Sequence, residues 1–185
     1  MIRQQRGPLL LTVAVGLVAG LLATKLTNLA QGPLRRMTPA YVRRQERQAF
    51  PHRSSSLAAA EKLAPLLPGV PTPQRKEAVG VLIHFITGMT WGPTYGLLRR
   101  YTSWHPFAAA AASGIAMSLI LDEALVPRLR LSAPDRDYPA PTHLRGLAAH
   151  LVYGAALALA VEMIGHVTAH LSLSQGERMG SGEDS

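Results

Sequence analysis

Apolar residues in this sequence gather into four blocks, separated by polar stretches of very different length. The blocks cover about residues 8–30, 78–98, 106–126 and 144–166. Each is close to the ~20 residues that a helix needs to cross a bilayer. Because the blocks are rich in Gly, Ala and Leu and lack an amphipathic stripe of period 3.6, they favour membrane helices over the helices of a soluble bundle. The pattern predicts an all-α fold, an integral membrane bundle of four transmembrane helices within residues 1–170.

The polar stretches outside the blocks differ in character. Residues 31–77 form a long basic loop in which Thr38-Pro39 and Ser55/Ser56 are suited to start short helices. These helices would lie on anionic headgroups, although a solvated loop fits equally well. The tail, 171–185, is rich in Gly, Ser and acidic residues, which predicts disorder.

The first block has basic residues before it, as a signal peptide does. However, Lys25 and Asn28 follow its apolar core, and no clean small-residue cleavage site is present. We therefore expect a retained membrane helix.

The basic residues give the chain a net charge of +8 and flank the apolar blocks. The long loop and the loop after the third block carry 13 Lys and Arg, against five at the termini and between the second and third blocks. The positive-inside rule then predicts a multi-pass membrane protein with cytoplasmic long loops and external termini. This distribution reflects membrane orientation, so the expected partner is the lipid bilayer and not nucleic acid. The absence of cysteine excludes disulfides, thiolate metal sites and thiol nucleophiles.

Each block also carries an ionisable group near the long-loop surface of the membrane. The predicted polar intramembrane cluster consists of Lys25, His84, Asp122, Glu123 and His150. At 1.5 Å per residue, these groups lie roughly 5–10 Å below the same surface. A Lys or Asp inside a membrane helix costs roughly 2.5–3.5 kcal/mol on insertion scales, so the cluster needs partners or a function.

Several explanations of this cluster remain open. An ion pair between Lys25 and Asp122 or Glu123 would neutralise the charges and dock the first helix on the third. Imidazoles beside carboxylates would also relay protons or handle ions. His84 and His150 with a carboxylate would suit a divalent metal, although Lys25 would compete for that carboxylate, so a metal stays undecided.

Small residues mark faces where helices can approach closely. The predicted helix-packing positions are Gly16, Gly20, Gly80, Gly88, Gly92, Gly96 and Gly154. Such ridges favour tight contact, whether within the chain, with a second copy or with a partner membrane protein. A shift of 98 residues places the first block on the third, and the second and fourth blocks share a His-x3-Gly element. Two related helix hairpins would explain this repeat, although chance similarity between Gly- and Ala-rich helices competes with it.

Short motifs in the four blocks make the chain similar to the YagU-type family of small bacterial inner-membrane proteins. The motifs are Gly16-Leu-Val-Ala-Gly20 with Lys25 downstream, the Arg-Met-Thr-Pro39 stretch, His84 with Gly88 and Tyr95, and Ala149-His150-Leu-Val-Tyr153. The resemblance implies an integral inner-membrane protein and brings no reaction, cofactor or catalytic residue.

The sequence contains no nucleophile elbow, P-loop, dinucleotide fingerprint or zinc-protease motif. We therefore expect a non-enzymatic membrane factor or accessory subunit, without a cofactor and with a buried His/Lys/carboxylate layer. The alternative is a small proton- or ion-handling transporter or channel that uses this layer. An intramembrane enzyme comes third.

Overall fold

A computed structural model describes residues 8–50, 54–66, 69 and 72–180, with side chains along the last helix as far as Val167. All regular structure in this part of the chain is helical, which confirms the all-α prediction. The helices are α1 Leu9–Met37, α2 Ala40–Ala49, α3 Ser55–Leu63, α4 Pro73–Tyr101, α5 Pro106–Met117, α6 Val126–Arg128 and α7 Ala140–Gly180. A π-helical segment, Ser118–Leu125, joins α5 to α6, and single 3-10 turns cover Ala64–Leu66 and Asp135–Asp137.

Three helices among the described residues are long and apolar enough to cross a membrane. They are Leu9–Met37, Pro106–Arg128 and Ala140–Val167, and they contain the first, third and fourth predicted blocks. The second block lies in α4, which is 29 residues long but is not one of the three helices that are apolar enough to cross a membrane. Its hydropathy is lowered by His84 and by repeated Gly and Thr. Three apolar helices suggest a membrane protein, and the count of four spans stays a prediction.

Helices α1 and α4 pack antiparallel with their backbones in contact. A Cβ atom built on Gly16 would lie 2.6 Å from Pro93 Cα, and one built on Gly20 would lie 2.7 Å from the Gly88 carbonyl oxygen. Real Cβ atoms essentially never approach other atoms this closely. Glycine is therefore required at these positions, and α4 follows α1 along its length.

Helices α5 and α7 form a second antiparallel hairpin in a different register. In the first hairpin, Gly20 meets Gly88. The internal repeat makes Ser118 the equivalent of Gly20 and Gly154 the equivalent of Gly88, so a strict repeat would place Ser118 against Gly154. Instead, a Cβ on Gly154 would collide with the Ala110 carbonyl oxygen, about two helical turns earlier. The two hairpins share antiparallel packing through glycine but not the same alignment.

Small residues fill the interior, and large apolar residues cover the outside. The buried cluster includes Ala19, Ala23, Ala109, Ala110, Ala156 and Ala160, with Tyr95, Tyr153 and Leu157 as its largest members. Large exposed side chains include Leu22, Leu26, Val81, Leu82, Ile86, Ile115, Leu119, Leu151 and Leu159. An interior built mainly of closely packed small residues is typical of helix association in lipid.

The ends of several helices differ from the sequence predictions. Thr38 does not cap α2, because its hydroxyl donates to the Leu34 carbonyl at 3.0 Å, and Pro39 occupies the cap position instead. Ser54 caps α3, one residue before the predicted pair, and accepts a hydrogen bond from the Leu57 N–H at 3.2 Å. The loop thus contains two ordered helices.

At the other end of the chain, α7 continues to Gly180 through much of the predicted disordered tail. The remainder, 181–185, lies outside the described residues.

Candidate functional site

A cleft of about 680 Å³ opens among α1, α2, α3, α4, the π-helical segment and α7, at the end of the bundle that carries the long loop. The face of α1 that lines it consists of Thr24, Thr27, Gln31 and Arg35, spaced by helical turns. Arg35 is exposed and Thr24 is buried, so the cleft deepens from Arg35 toward Thr24. Arg35 is 11 positions after Thr24 in the helix, which corresponds to a depth of about 16 Å.

Two imidazole–carboxylate pairs cross from the π-helical segment to α7. His150 Nε2 lies 2.8 Å from an Asp122 carboxylate oxygen, and His143 Nδ1 lies 2.7 Å from a Glu123 carboxylate oxygen. His143 and His150 are seven residues apart on α7 and therefore share one face of the helix. The pairs stack along the cleft, with His143 toward its mouth and His150 toward its floor.

The π-helical segment and a glycine on α7 allow both carboxylates to reach the histidines. Asp122 and Glu123 are adjacent in sequence, and both side chains still reach α7. A Cβ on Gly146 would lie 3.4 Å from an Asp122 carboxylate oxygen, so glycine here leaves room for that carboxylate. π-helical turns often occur at functional sites, where they redirect side chains.

His84 enters the cleft from α4 and contacts α1. Its Nε2 lies 2.9 Å from the side-chain oxygen of Asn28. His84 and His150, two members of the predicted cluster, both line the cleft.

Lys25 does not join the other predicted members of the cluster. It lies exposed on α1, while Thr24 and Thr27 occupy the inner face of that helix. Among the described residues it makes no ion pair with Asp122 or Glu123, because histidines occupy both carboxylates. Neighbouring residues of a helix point about 100° apart, so Lys25 faces outward where Thr24 faces inward. The two imidazole–carboxylate pairs therefore take the place of the ion pair with Lys25.

The predicted packing glycines contact other helices of the same chain. Gly88, Gly92 and Gly96 face α1, while Gly80 faces α3, where a Cβ built on it would lie 3.1 Å from Leu57 Cα. Gly154 faces α5. This internal packing leaves the ridge of α4 covered by α1 and α3.

Helix α2 is fastened across the mouth of the cleft by a charged pair. Arg145 on α7 lies 2.6 Å from a Glu46 carboxylate oxygen, and the same oxygen accepts a hydrogen bond from the Thr142 hydroxyl at 2.6 Å. Arg145 also donates to the Thr38 hydroxyl at 3.2 Å. The side chains of Arg145 and Glu46 are only 20% and 15% exposed, so solvent screens this pair less than a surface salt bridge.

Changing Glu46 to Gln should lower the free energy of unfolding by about 1.5–3 kcal/mol, the range for hydrogen bonds to charged groups. A double-mutant cycle with Arg145→Gln, followed by thermal unfolding in mild detergent, measures the coupling of the pair. Arg44→Gln on the same helix is the control, because Arg44 is exposed. Strictly additive losses at positions 46 and 145 would contradict the fastening role.

The loop between α6 and α7 adds an acidic residue to the cleft. The backbone oxygen of Asp135 lies 3.1 Å from His143 Nε2. Burial and the nearby Glu123 and Asp122 carboxylates raise the pKa of Asp135 above its ordinary value, and His143 opposes them in part. Negative charge is thus concentrated around His143.

Sequence reasoning missed several members of the site. They are Asn28, Glu46, His143, Arg145 and Tyr153. The heptad spacing between His143 and His150 was a usable signal for a shared helix face. No local pattern marks Glu46, which reaches Arg145 only through the tertiary fold.

The described residues contain no group of three or more His, Asp or Glu side chains positioned to hold a metal ion. Each imidazole of the cleft has a side-chain carboxylate or amide partner, and His143 also contacts the Asp135 backbone oxygen. These pairs offer hydrogen bonding, charge and proton exchange.

Comparison of the chain with protein-family models, with curated proteins and with solved structures finds no match.

Proposed function

We propose that this protein is a four-span integral protein of the bacterial inner membrane, similar to the YagU-type family, and that its cleft opens to the cytoplasm and binds a small ligand without converting it. The spans are α1, α4, the continuous helix α5–α6 and α7. The excess of basic residues in the long loops supports the cytoplasmic orientation.

The packing of α4 supports a fourth span. It lies antiparallel to α1, with Gly16 and Gly20 against Pro93 and Gly88. If α1 crosses the bilayer, α4 must lie within the same hydrocarbon layer. The exposed Val81, Leu82 and Ile86 of α4 suit contact with lipid, whereas its glycines face other helices.

The cleft itself is the observation that carries the proposed function. Its volume of about 680 Å³ falls in the range of small-molecule sites, and charged side chains converge on an otherwise partly apolar lining. Tyr153 closes its floor by donating a hydrogen bond to the Gly88 carbonyl at 2.6 Å. Below this bond lie buried residues such as Tyr95, Ala156 and Leu157. A cleft that is open at one end and closed by packed residues at the other favours binding over conduction.

The exposed Lys25 fits the same arrangement. A lysine on the lipid-facing side of α1 extends its flexible chain along the helix, which brings its ammonium group toward the headgroups. It then needs no carboxylate partner.

Single cysteines test the cleft, because the chain has none of its own. Thr87→Cys places a thiol in the cleft, whereas Thr90→Cys places one on the exposed outer side of the same helix. In inverted membrane vesicles, an impermeant maleimide should label position 87 at least about tenfold faster than position 90, because thiolates form in water and not in hydrocarbon. In right-side-out vesicles, neither position should react.

Two outcomes would contradict the proposal. Equal protection of both positions, with full labelling after denaturation, would mean that no water-filled cleft exists. Labelling of position 87 from the external side alone would reverse the proposed orientation.

Proton or ion handling is the second candidate. The two stacked imidazole–carboxylate pairs favour it, since imidazole titrates near pH 6.5 and exchanges protons with a neighbouring carboxylate. Such a function needs access from both sides. Labelling of Thr87→Cys in both vesicle orientations would therefore favour this candidate over one-sided binding.

A further inference from the structure

We infer that the mouth of the cleft binds the headgroup of an anionic phospholipid, with the acyl chains against the apolar wall of the cleft. This inference rests on the proposed function, because it requires a cleft that opens at the cytoplasmic surface of the membrane. It adds the chemical class of the ligand.

Four guanidinium groups line the mouth, and two of them already have hydrogen-bond or ion-pair partners within the protein. Arg145 pairs with Glu46. Arg43 donates to backbone carbonyls at the end of α1, including that of Arg35 at 3.3 Å. Among the described contacts, the side chains of Arg35 and Arg47 have no hydrogen bond or ion pair. Both are exposed and line the cleft, one at the end of α1 and the other at the end of α2.

None of the carboxylates described in the cleft pairs with Arg35 or Arg47. Three of its four carboxylates are matched by internal partners: Glu46 by Arg145, Glu123 by His143, and Asp122 by His150. The fourth, Asp135, lies on the loop beside His143. Arg35 and Arg47 therefore present guanidinium donors that none of these carboxylates occupies, and such donors suit a phosphate.

An apolar wall runs inward from these arginines. It consists of Ile83, Leu121, Leu125, Val126, Leu129 and Leu131. Leu125 and Leu129 are 44% and 47% exposed. A free phosphate would contact only the arginines, whereas a phospholipid would also cover this wall. Basic pockets between membrane helices on the cytoplasmic side are recognised sites for anionic headgroups.

Paired substitutions separate a defined site from diffuse attraction. The double variant Arg35→Gln/Arg47→Gln removes the two free cleft arginines. Arg36→Gln/Arg44→Gln removes the same charge from the same two helices, at exposed positions that do not line the cleft. The binding of phosphatidylglycerol and phosphatidylcholine to the full chain is measured by native mass spectrometry in mild detergent.

The wild type should bind phosphatidylglycerol at least about tenfold more tightly than phosphatidylcholine, consistent with a few charge-assisted hydrogen bonds. The cleft variant should lose this preference, and the control should keep it within about twofold. Melting temperatures show that both variants fold. If the cleft variant does not fold, Arg35→Lys/Arg47→Lys replaces it, and it should weaken binding because it loses the two-pronged guanidinium contact.

An equal loss of preference in the two glutamine variants would overturn the proposed site, since only net charge would matter. Full competition by millimolar inorganic phosphate or glycerol 3-phosphate would overturn the lipid assignment in favour of a soluble anion. Absence of any lipid preference, with Thr87→Cys still labelled from the cytoplasmic side, would refute the ligand class and leave the cleft intact. Loss of that labelling would refute the cleft itself.

Discussion

Replacing Gly92 with leucine should destabilise the protein by at least about 3 kcal/mol, the upper range for overpacking of a close-packed interior. A Cβ atom at this position would collide with the Gly16 carbonyl oxygen and lie 3.0 Å from Gly20 Cα. All the obstructing atoms are backbone, so no side-chain rotation can relieve the contact. The substitution would therefore force α1 and α4 apart along their shared face.

Thermal and denaturant unfolding in mild detergent measure this effect. Gly32→Leu is the matched control, because it lies in α1 and a Cβ there meets nothing within 4 Å. Similar stability of the two variants would contradict the tight α1–α4 packing. If Gly92→Leu kept its stability but reduced the size of an oligomer on gel filtration, the glycine ridge would instead serve contact between chains.

Topology reporters should give opposite results in the connections on either side of α4. A reporter in the α4–α5 connection, residues 102–105, should lie outside, and one in the α2–α3 connection, residues 50–54, should lie in the cytoplasm. The expected contrast is all-or-none, because a span crosses the bilayer or does not. In a three-span protein without α4, both connections would lie on the same side.

The loop between α6 and α7 provides the control for this experiment. A reporter at 131–134 should match the one between α2 and α3, since both are proposed to be cytoplasmic. Agreement between the reporters at 50–54 and 102–105, with the one at 131–134 on the opposite side, would refute a membrane-spanning α4, and with it the level at which His84 meets the cleft. A uniformly inverted result would keep four spans and reverse their orientation.

Helix α2 links the Glu46–Arg145 pair at the mouth of the cleft to the proposed ligand. Helix α2 carries both Glu46, which pairs with Arg145 on α7, and Arg47, which lines the cleft. One short helix therefore carries both a residue that fastens the cleft and a residue of the proposed headgroup site.

The sequence was sufficient to locate the long helices. Hydropathy and helix-breaking residues act on each segment by itself, so the first, third and fourth blocks coincide with three long apolar helices. The glycine spacing likewise indicated close helix contact, because absence of a side chain is a local property. The excess of basic residues in two loops was also readable without a fold.

Only the tertiary structure decided which side chains meet. Lys25 and Asp122 lie at similar predicted depths, yet rotation about the axis of α1 leaves Lys25 on the outside, and Asp122 pairs with His150. His143 enters the site because the α5–α7 register and the π-helical segment bring Glu123 beside it. The depth of a residue follows from its position along the chain, but its partner depends on how each helix is rotated and shifted against its neighbours.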